Sequence, residues 1–301
     1  MKTQRPTAES LIVHCTVGGK AFDHAENQIA VVDPATARTI TSVADVGKAG
    51  VSEAVKAASG AMDAWAALAP RDRASLLLKL ADAVEEHATE LSAIEALDVG
   101  KPLHLVPGEI ASSVDKLRFF AGGARLLSGV AANEYRPPYT SFVRREPVGV
   151  VAALAPWNYP FAMAVWKIGP ALAAGNTVVL KPSPETPLST LRLAQLAAEI
   201  FPPGVINVIT GGSDVGRALV GHPDVAMISL TGGTATGKAV MASAAKTVRP
   251  LHLELGGNAA MLIFDDADLD RLRDMYFMAA FRNSGQDCHA ASRIYTTPAL
   301  L

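Results

Sequence analysis

The spacing of apolar residues changes character once along the chain. Residues 1–44 read as short strands and turns, punctuated at Gly18-Gly19 and Asp33-Pro34. From Asp45 to about Leu68, apolar side chains recur at helical spacing (Val51, Val55, Ala58, Met62, Trp65), which predicts an amphipathic helix. A second helix is expected from Pro70 to about Leu97, its exit marked by Gly100 and Pro102. A third is expected from Glu109 to Leu127, with Val114, Leu117 and Phe120 on one stripe. From about Tyr139 the pattern shortens. Residues 140–145 read as an exposed strand. Apolar runs then follow at 148–154, 177–180, 205–209, 225–230 and 251–255, with helical stretches between them at 161–174, 188–200, 215–220 and 236–245.

Continuous apolar strands alternating with helices predict an α/β fold, a parallel sheet covered on both faces. Such sheets bind ligands beyond the carboxyl ends of their strands. The loops at those ends read Ala155-Pro156-Trp157-Asn158, Lys181-Pro182-Ser183, Thr210-Gly211-Gly212, Thr231-Gly232-Gly233 and Gly256-Gly257. Three of the five are glycine-rich, and the other two carry polar groups suited to a ligand. Beyond Gly257 a further strand is expected at 261–264, a helix at 268–281, and a last strand near 293–295.

Composition narrows the function classes. A chain of 301 residues exceeds most single cores, so one large or two ordinary domains are expected. The net charge of −2 gives no electrostatic case for nucleic acid or an anionic membrane. The longest apolar windows are strand-sized, so no membrane span or targeting segment is read. Two cysteines, Cys15 and Cys288, make no disulfide framework, and a cytoplasmic location is the expectation. No spaced Cys/His pattern suggests a metal.

Cys288 follows a glycine-containing turn and precedes a strand, where a thiol could be an accessible nucleophile. A free cysteine is more often simply a small buried hydrophobe, and Cys15 is read that way. Glu254, in Leu-Glu-Leu-Gly-Gly, is a carboxylate among leucines. It either reaches solvent or is buried with its pKa raised, as a general base requires. Asn158 is a turn former or an oxyanion-stabilising amide. Lys181 is a surface lysine or a cofactor contact. A rival reading comes from Gly232-Gly233-Thr234-Ala235-Thr236-Gly237-Lys238, which matches G-x-x-x-x-G-K of a P-loop NTPase, with an apolar strand ending in Asp265 downstream. Ala239 stands where the magnesium-binding hydroxyl would be, which weakens that reading.

In order along the chain, Pro156-Trp157-Asn158-Tyr159-Pro160, Lys181-Pro182-Ser183, Leu230-Thr231-Gly232-Gly233, Leu253-Glu254-Leu255-Gly256-Gly257 and Gly285-Gln286-Asp287-Cys288 resemble the aldehyde dehydrogenase superfamily. Gly100-Lys101-Pro102-Leu103-His104, Phe119-Phe120-Ala121-Gly122 and Gln286-Asp287-Cys288-His289-Ala290-Ala291 are similar to aminobutyraldehyde (1-pyrroline) and betaine-aldehyde-type members.

The resemblance implies a doubly wound parallel-sheet cofactor domain from residues 1–124 and 148–256, an oligomerisation segment at 125–147, and an incomplete α/β catalytic domain at 257–301. It implies Cys288 as nucleophile, Glu254 as base and Asn158 as oxyanion donor, together with the Cys288 backbone N–H. It implies an NAD site, with NADP possible, formed by Trp157, Lys181, Ser183, Gly212, Gly216, Thr231, Gly232, Gly233, Leu255 and Gly256, and no metal. The substrate implied is a small aldehyde, and full-length members are homo-oligomers, dimers or tetramers.

Three departures from the family pattern stand out. Pro184 occupies the place of a ribose-binding Glu, with Glu185 next. Gly233 stands where Ser is common. The chain stops soon after Cys288, so the strands at 261–264 and 294–295 are expected to lack their partners, and the chain alone is expected to be poorly soluble or inactive.

Overall fold

The computed structural model describes residues 6, 11–127, 129 and 132–300. The parts of the 1–124, 125–147 and 257–301 assignments that fall on the other residues lie outside this description. Two short strands, β1 (Cys15–Val17) and β2 (Lys20–Phe22), turn at Gly18 and Gly19, both at positive φ, the conformation glycine adopts without steric cost. A hairpin of β3 (Asn27–Asp33) and β4 (Arg38–Asp45) follows. Helix α1 (Gly47–Ala66) lies within the predicted span, and Val51, Val55, Ala58 and Trp65 of the stripe are buried, with Met62 partly so.

The second predicted helix is two. Helix α2 (Pro70–Glu86) ends at His87, whose ring Nδ1 lies 2.9 Å from the Ala83 carbonyl, and α3 (Ala88–Val99) begins directly after it. No Gly or Pro announces the break, so apolar periodicity alone runs through it. The third, α4 (Val106–Gly123), starts three residues before the expected Glu109 and stops at Gly122-Gly123. The exposed strand expected at 140–145 is only β6 (Tyr139–Ser141), paired with β5 (Asn133–Arg136).

The remaining runs form the expected βα alternation: β7 (Val150–Leu154), α5 (Pro160–Ala173), β8 (Thr177–Lys181), α6 (Leu188–Ala198), β9 (Ile206–Val208), α7 (Ser213–Gly221), β10 (Val225–Gly232), α8 (Thr234–Ala245) and β11 (Leu251–Leu255). Their sheet has the order β11-β10-β7-β8-β9-β1-β2, parallel from β11 to β9, with β1 and β2 added antiparallel at one edge. The chain leaves β7 toward β8 but leaves β10 toward β11. The strand order therefore switches direction between β7 and β10, the place where an open α/β sheet has a crevice. Helices α2 to α6 cover one face around Leu77, Leu117, Phe161 and Leu172; α1, α7 and α8 cover the other.

Cys15 is buried in that second layer, its Sγ 3.1 Å from Thr210 Oγ1, and both cysteines are unpaired. After the sheet come β12 (Ala259–Ile263), α9 (Leu269–Phe281), a 3-10 turn at Arg282–Gly285, and β13 (Ala291–Thr296). These two strands do not wait for outside partners: they pair with each other in parallel, Met261 beside Ile294 and Leu262 beside Tyr295. The crossover through α9 returns the chain alongside β12, as a βαβ unit does. No helix among the described residues is long and apolar enough to cross a membrane.

Candidate functional site

Strand register gathers the candidate residues at one end of the sheet. Leu154 pairs with Lys181, Leu230 with Leu154, and Thr231 with Glu254. The loop carrying Trp157 and Asn158, the amine of Lys181, the Thr231-Gly232-Gly233 segment and Glu254 therefore all leave the sheet on the same side. Trp157 is half exposed, and its carbonyl accepts a 2.8 Å hydrogen bond from the buried Thr186 hydroxyl, tying the loop after β7 to the loop after β8.

Lys181 ends β8 and is 7% exposed, so it is not the surface lysine that its residue type alone would suggest. Its Nζ donates to the Pro182 carbonyl at 3.2 Å. An ammonium has three donors, so this environment leaves capacity for a ligand's hydroxyls. Burial pushes Lys181 down to about 8, against the pull of the Glu185 and Asp45 carboxylates. Glu185 also accepts a hydrogen bond from Ser183. A carboxylate therefore stands beside Lys181 despite Pro184, one residue later than the family pattern places it.

Asp45, which sequence reading passed over, accepts from the backbone N–H of Gly212 at 3.0 Å and of Gly47 at 3.1 Å. This fixes the start of α7, where a Cβ at Gly216 would come into ordinary van der Waals contact with Leu154 and Lys181. The signal for Asp45 was only its place between a strand and a helix.

Gly233 caps α8 in extended conformation, and a Cβ there, or at Gly256, would meet open space. The first N–H groups of α8 have no intrahelical partners and form a seat for a phosphate. Further into α8, Gly237 has no room for a side chain: a Cβ would lie 2.7 Å from Leu255 Cδ1, so glycine lets this helix press onto the end of β11. The P-loop reading fails on this geometry. Helix α8 opens at Thr234, directly after Gly233, leaving no multi-residue loop to wrap a phosphate, and Lys238 is exposed on the helix. The buried, underused Lys181 amine and the open ground above Gly233 and Gly256 fit a dinucleotide.

The Cys288 turn is held by polar bridges from the loop after β7. Asn158 Nδ2 donates to the Gln286 carbonyl at 3.0 Å, leaving its second N–H for a substrate oxygen. Asn283 Nδ2 donates to the carbonyls of Asn158 and Gln286, both at 3.0 Å. Tyr159 donates its hydroxyl to Asp287 Oδ2 at 2.8 Å. Behind it the Lys101 ammonium sits 4.4 Å over the Tyr159 ring, itself clamped between Glu95 at 2.7 Å and Glu109 at 2.8 Å. The chain enters the turn through Asn283, Ser284 and Gly285, at φ 51°, 59° and 76°. Left-handed backbone costs a non-glycine residue about 1–2 kcal/mol, and the two hydrogen bonds of Asn283 oppose that cost.

Cys288 is partly exposed, and Gly257 passes close to it, a Cβ there lying 3.3 Å from the Cys288 carbonyl. Its thiol is pushed up to about 11, first by burial, then by the Glu254 carboxylate through hydrogen bonding and charge, then by Asp287. Glu254 is half-buried, close enough for its carboxylate to act on the thiol. A second residue that sequence reading missed is Lys167 on α5. It is 5% exposed and donates to Ser229 Oγ at 3.0 Å, and Ser229 in turn lies 3.1 Å from His252 Nδ1. Burial brings Lys167 down to about 8, and the Glu254 charge opposes this. A lysine inside the apolar run from Phe161 to Ile168 was the available signal.

The model of the aldehyde dehydrogenase family matches residues 22–299. The betaine aldehyde dehydrogenase of Vibrio vulnificus is 38% identical over 290 residues, covering 94% of this chain and 59% of its own length. The crystal structure of betaine aldehyde dehydrogenase from Staphylococcus aureus in complex with NAD+ superposes with a TM-score of 0.94 at 36% identity, covering 97% of this chain and 59% of that one. An NADP-dependent enzyme of E. coli superposes with a TM-score of 0.95 at 36% identity, covering 99% of this chain and 62% of that one. The chain thus spans about three-fifths of the length of these relatives. On this match and the register that gathers its motifs, the chain belongs to the aldehyde dehydrogenase family.

Proposed function

We propose that the protein oxidises a small aldehyde to the carboxylic acid through a thioester on Cys288. The observation that carries this reading is the convergence of Cys288, Glu254 and Asn158 at the carboxyl end of β7 and β11, with a buried lysine and an open helix N-terminus beside them. The Cys288 thiol gives up its proton to solvent and, as the thiolate, attacks the aldehyde carbon. The free N–H of the Asn158 amide, with the Cys288 backbone N–H, holds the resulting oxyanion. The residues named below would hold NAD(P)+, which would supply the hydride acceptor for oxidation of the thiohemiacetal on Cys288 to a thioester. Glu254 then activates water to release the acid.

Lys181 and Ser183 would hold the adenosine ribose, the N-terminus of α8 with Thr231, Gly232 and Gly233 the pyrophosphate, and Gly212, Gly216, Trp157, Leu255 and Gly256 the walls of the cleft. Glu185 beside Lys181 supports NAD over NADP, since a carboxylate there repels a 2′-phosphate. An aminoaldehyde or betaine aldehyde substrate is supported by the likeness to the Vibrio vulnificus enzyme. Residues 1–124 and 148–256 serve as the dinucleotide-binding unit and 257–301 as part of the catalytic unit. The exposed β5–β6 hairpin, with Tyr135, Tyr139 and Phe142 outward, supports the 125–147 segment as an oligomer contact. Two unpaired cysteines support a cytoplasmic setting.

Pre-steady-state oxidation of betaine aldehyde and 4-aminobutanal by the Glu254→Gln variant tests the reading. A burst of reduced cofactor followed by a slowed steady state is expected. An unchanged steady-state rate removes Glu254 from the mechanism.

A further inference from the structure

Three consecutive side chains converge at the nucleophile turn. Cys288 Sγ lies 3.5 Å from His289 Nδ1 and 3.7 Å from Asp287 Oδ1, and that same oxygen is 2.8 Å from His289 Nδ1. All three potential ligand atoms lie within 4.8 Å of one another. A tetrahedral zinc ion, with zinc–sulfur at 2.3 Å and zinc–nitrogen or –oxygen near 2.1 Å, would separate sulfur from nitrogen or oxygen by about 3.5–3.6 Å. Two of the three observed separations therefore already match. Nitrogen and oxygen would need about 3.4 Å, so the present Asp287–His289 contact must open by about half an ångström. His289 can make that move, because its side chain is 80% exposed, whereas that of Asp287 is 5% exposed and anchored by the Tyr159 hydroxyl.

The fourth position is left to a water, as in zinc sites with three protein ligands. The donor set of thiolate, imidazole and carboxylate suits zinc in type, and a water completes its tetrahedron. The charge also fits: the Glu254 and Asp287 carboxylates beside the thiol oppose a lone thiolate but are complementary to a dication.

We propose that Asp287, Cys288 and His289 form an inhibitory zinc site that caps the nucleophile. The zinc ion forms bonds to Sγ, to His289 Nδ1, to a carboxylate oxygen of Asp287 and to one water, and the thiol proton is released to solvent. No electron is transferred, and a chelator reverses the binding. Capping withdraws the sulfur from chemistry. As a means of inhibition the site rests on the reading of Cys288 as nucleophile; as a metal site it does not.

The test is alkylation of Cys288 by iodoacetamide in chelator-treated protein, followed by peptide mass spectrometry, with and without zinc chloride. Zinc is expected to slow modification at least about tenfold, EDTA to restore it, and magnesium to have no effect, since a thiolate site selects the softer ion. His289→Ala and the polar His289→Gln are expected to weaken zinc binding, read by calorimetry, by about tenfold or more, the loss typical even of a residue that only supports a ligand. Both changes fall on an exposed side chain, so folding is preserved. Unslowed alkylation in micromolar zinc, or equal protection in both His289 variants, overturns the site. Zinc protection together with undiminished aldehyde oxidation by Cys288→Ala would leave the site standing and sink the nucleophile assignment instead.

Discussion

Helices α5 and α9 are nearly equal in length and both rich in apolar residues, yet they meet different fates. In α5, Phe161, Ile168 and Leu172 are at most 1% exposed, locked between the sheet and α2 and α4. In α9 no residue is buried, and Met275, Phe277 and Phe281 are each more than half exposed. The same contrast divides the molecule. Up to Gly256 the apolar stripes find partners within the described chain; beyond it, β12, α9 and β13 pair with one another but leave Leu262, Phe264 and Tyr295 outward. The part up to Gly256 is held by packing. The Cys288 turn is held to it by a few polar bridges: Asn158 to Gln286, Asn283 to Asn158, and Tyr159 to Asp287. The position of the Cys288 thiol thus hangs on hydrogen bonds, each of modest net worth, and not on a core.

The largest expected effect separates the halves by function. Cys288→Ala should reduce aldehyde oxidation by on the order of a thousandfold or more, as loss of a nucleophile does, with dinucleotide affinity unchanged. A parallel loss of nucleotide binding in titration calorimetry would show that the two regions are not separable.

Stability should follow the same division. Phe161→Ala should cost about 3–5 kcal/mol in urea denaturation, the penalty for an aromatic cavity. Phe277→Ala should stay within about 0.5 kcal/mol in this chain, because its ring already faces solvent. Comparable losses from both would mean that α9 is packed in solution.

Lys181→Ala should weaken dinucleotide binding about ten- to a hundredfold, the worth of one or two charge-assisted hydrogen bonds. The pH dependence has a definite sign. Burial holds the free protein's Lys181 down to about 8. A ligand that accepts hydrogen bonds prefers the ammonium and raises that value. Binding should therefore take up a proton above pH 8, and affinity should fall as pH rises through that value. Calorimetry in buffers of different ionisation enthalpy measures the uptake, and the Lys181→Ala variant should show none.

The smallest effect concerns the displaced carboxylate. Glu185→Gln should shift preference from NAD toward NADP by about tenfold, the equivalent of 1.4 kcal/mol of relieved repulsion. An unchanged ratio of kcat/KM for the two cofactors would mean that Glu185 does not read the ribose.

Most elements of the sheet were legible because a strand buried on both faces must be apolar throughout, and a helix packed on it must carry a stripe. That reasoning located β7 to β11 and the helices between them to within a few residues. The motifs at Asn158, Lys181, Gly233, Glu254 and Cys288 were legible as loops at strand ends. What apolar spacing could not register was polar. The break at His87 carries no Gly or Pro signal, and Asp45 and Lys167 gain meaning only from groups far away in sequence: Asp45 from the Gly212 amide, Lys167 from Ser229 and Glu254.

The sequence by itself determined the parallel sheet, the order of its helices and the residue types available at its carboxyl end, because periodicity and burial are local properties of a chain. Only the tertiary structure decided that Lys181 is buried with Glu185 beside it. Only there do β12 and β13 become each other's partners, and the Asp287–Cys288–His289 turn come to rest against Tyr159 and Glu254. Those outcomes depend on strand register and on which distant segments share a space, and a single residue's shift in register would send each side chain to the opposite face.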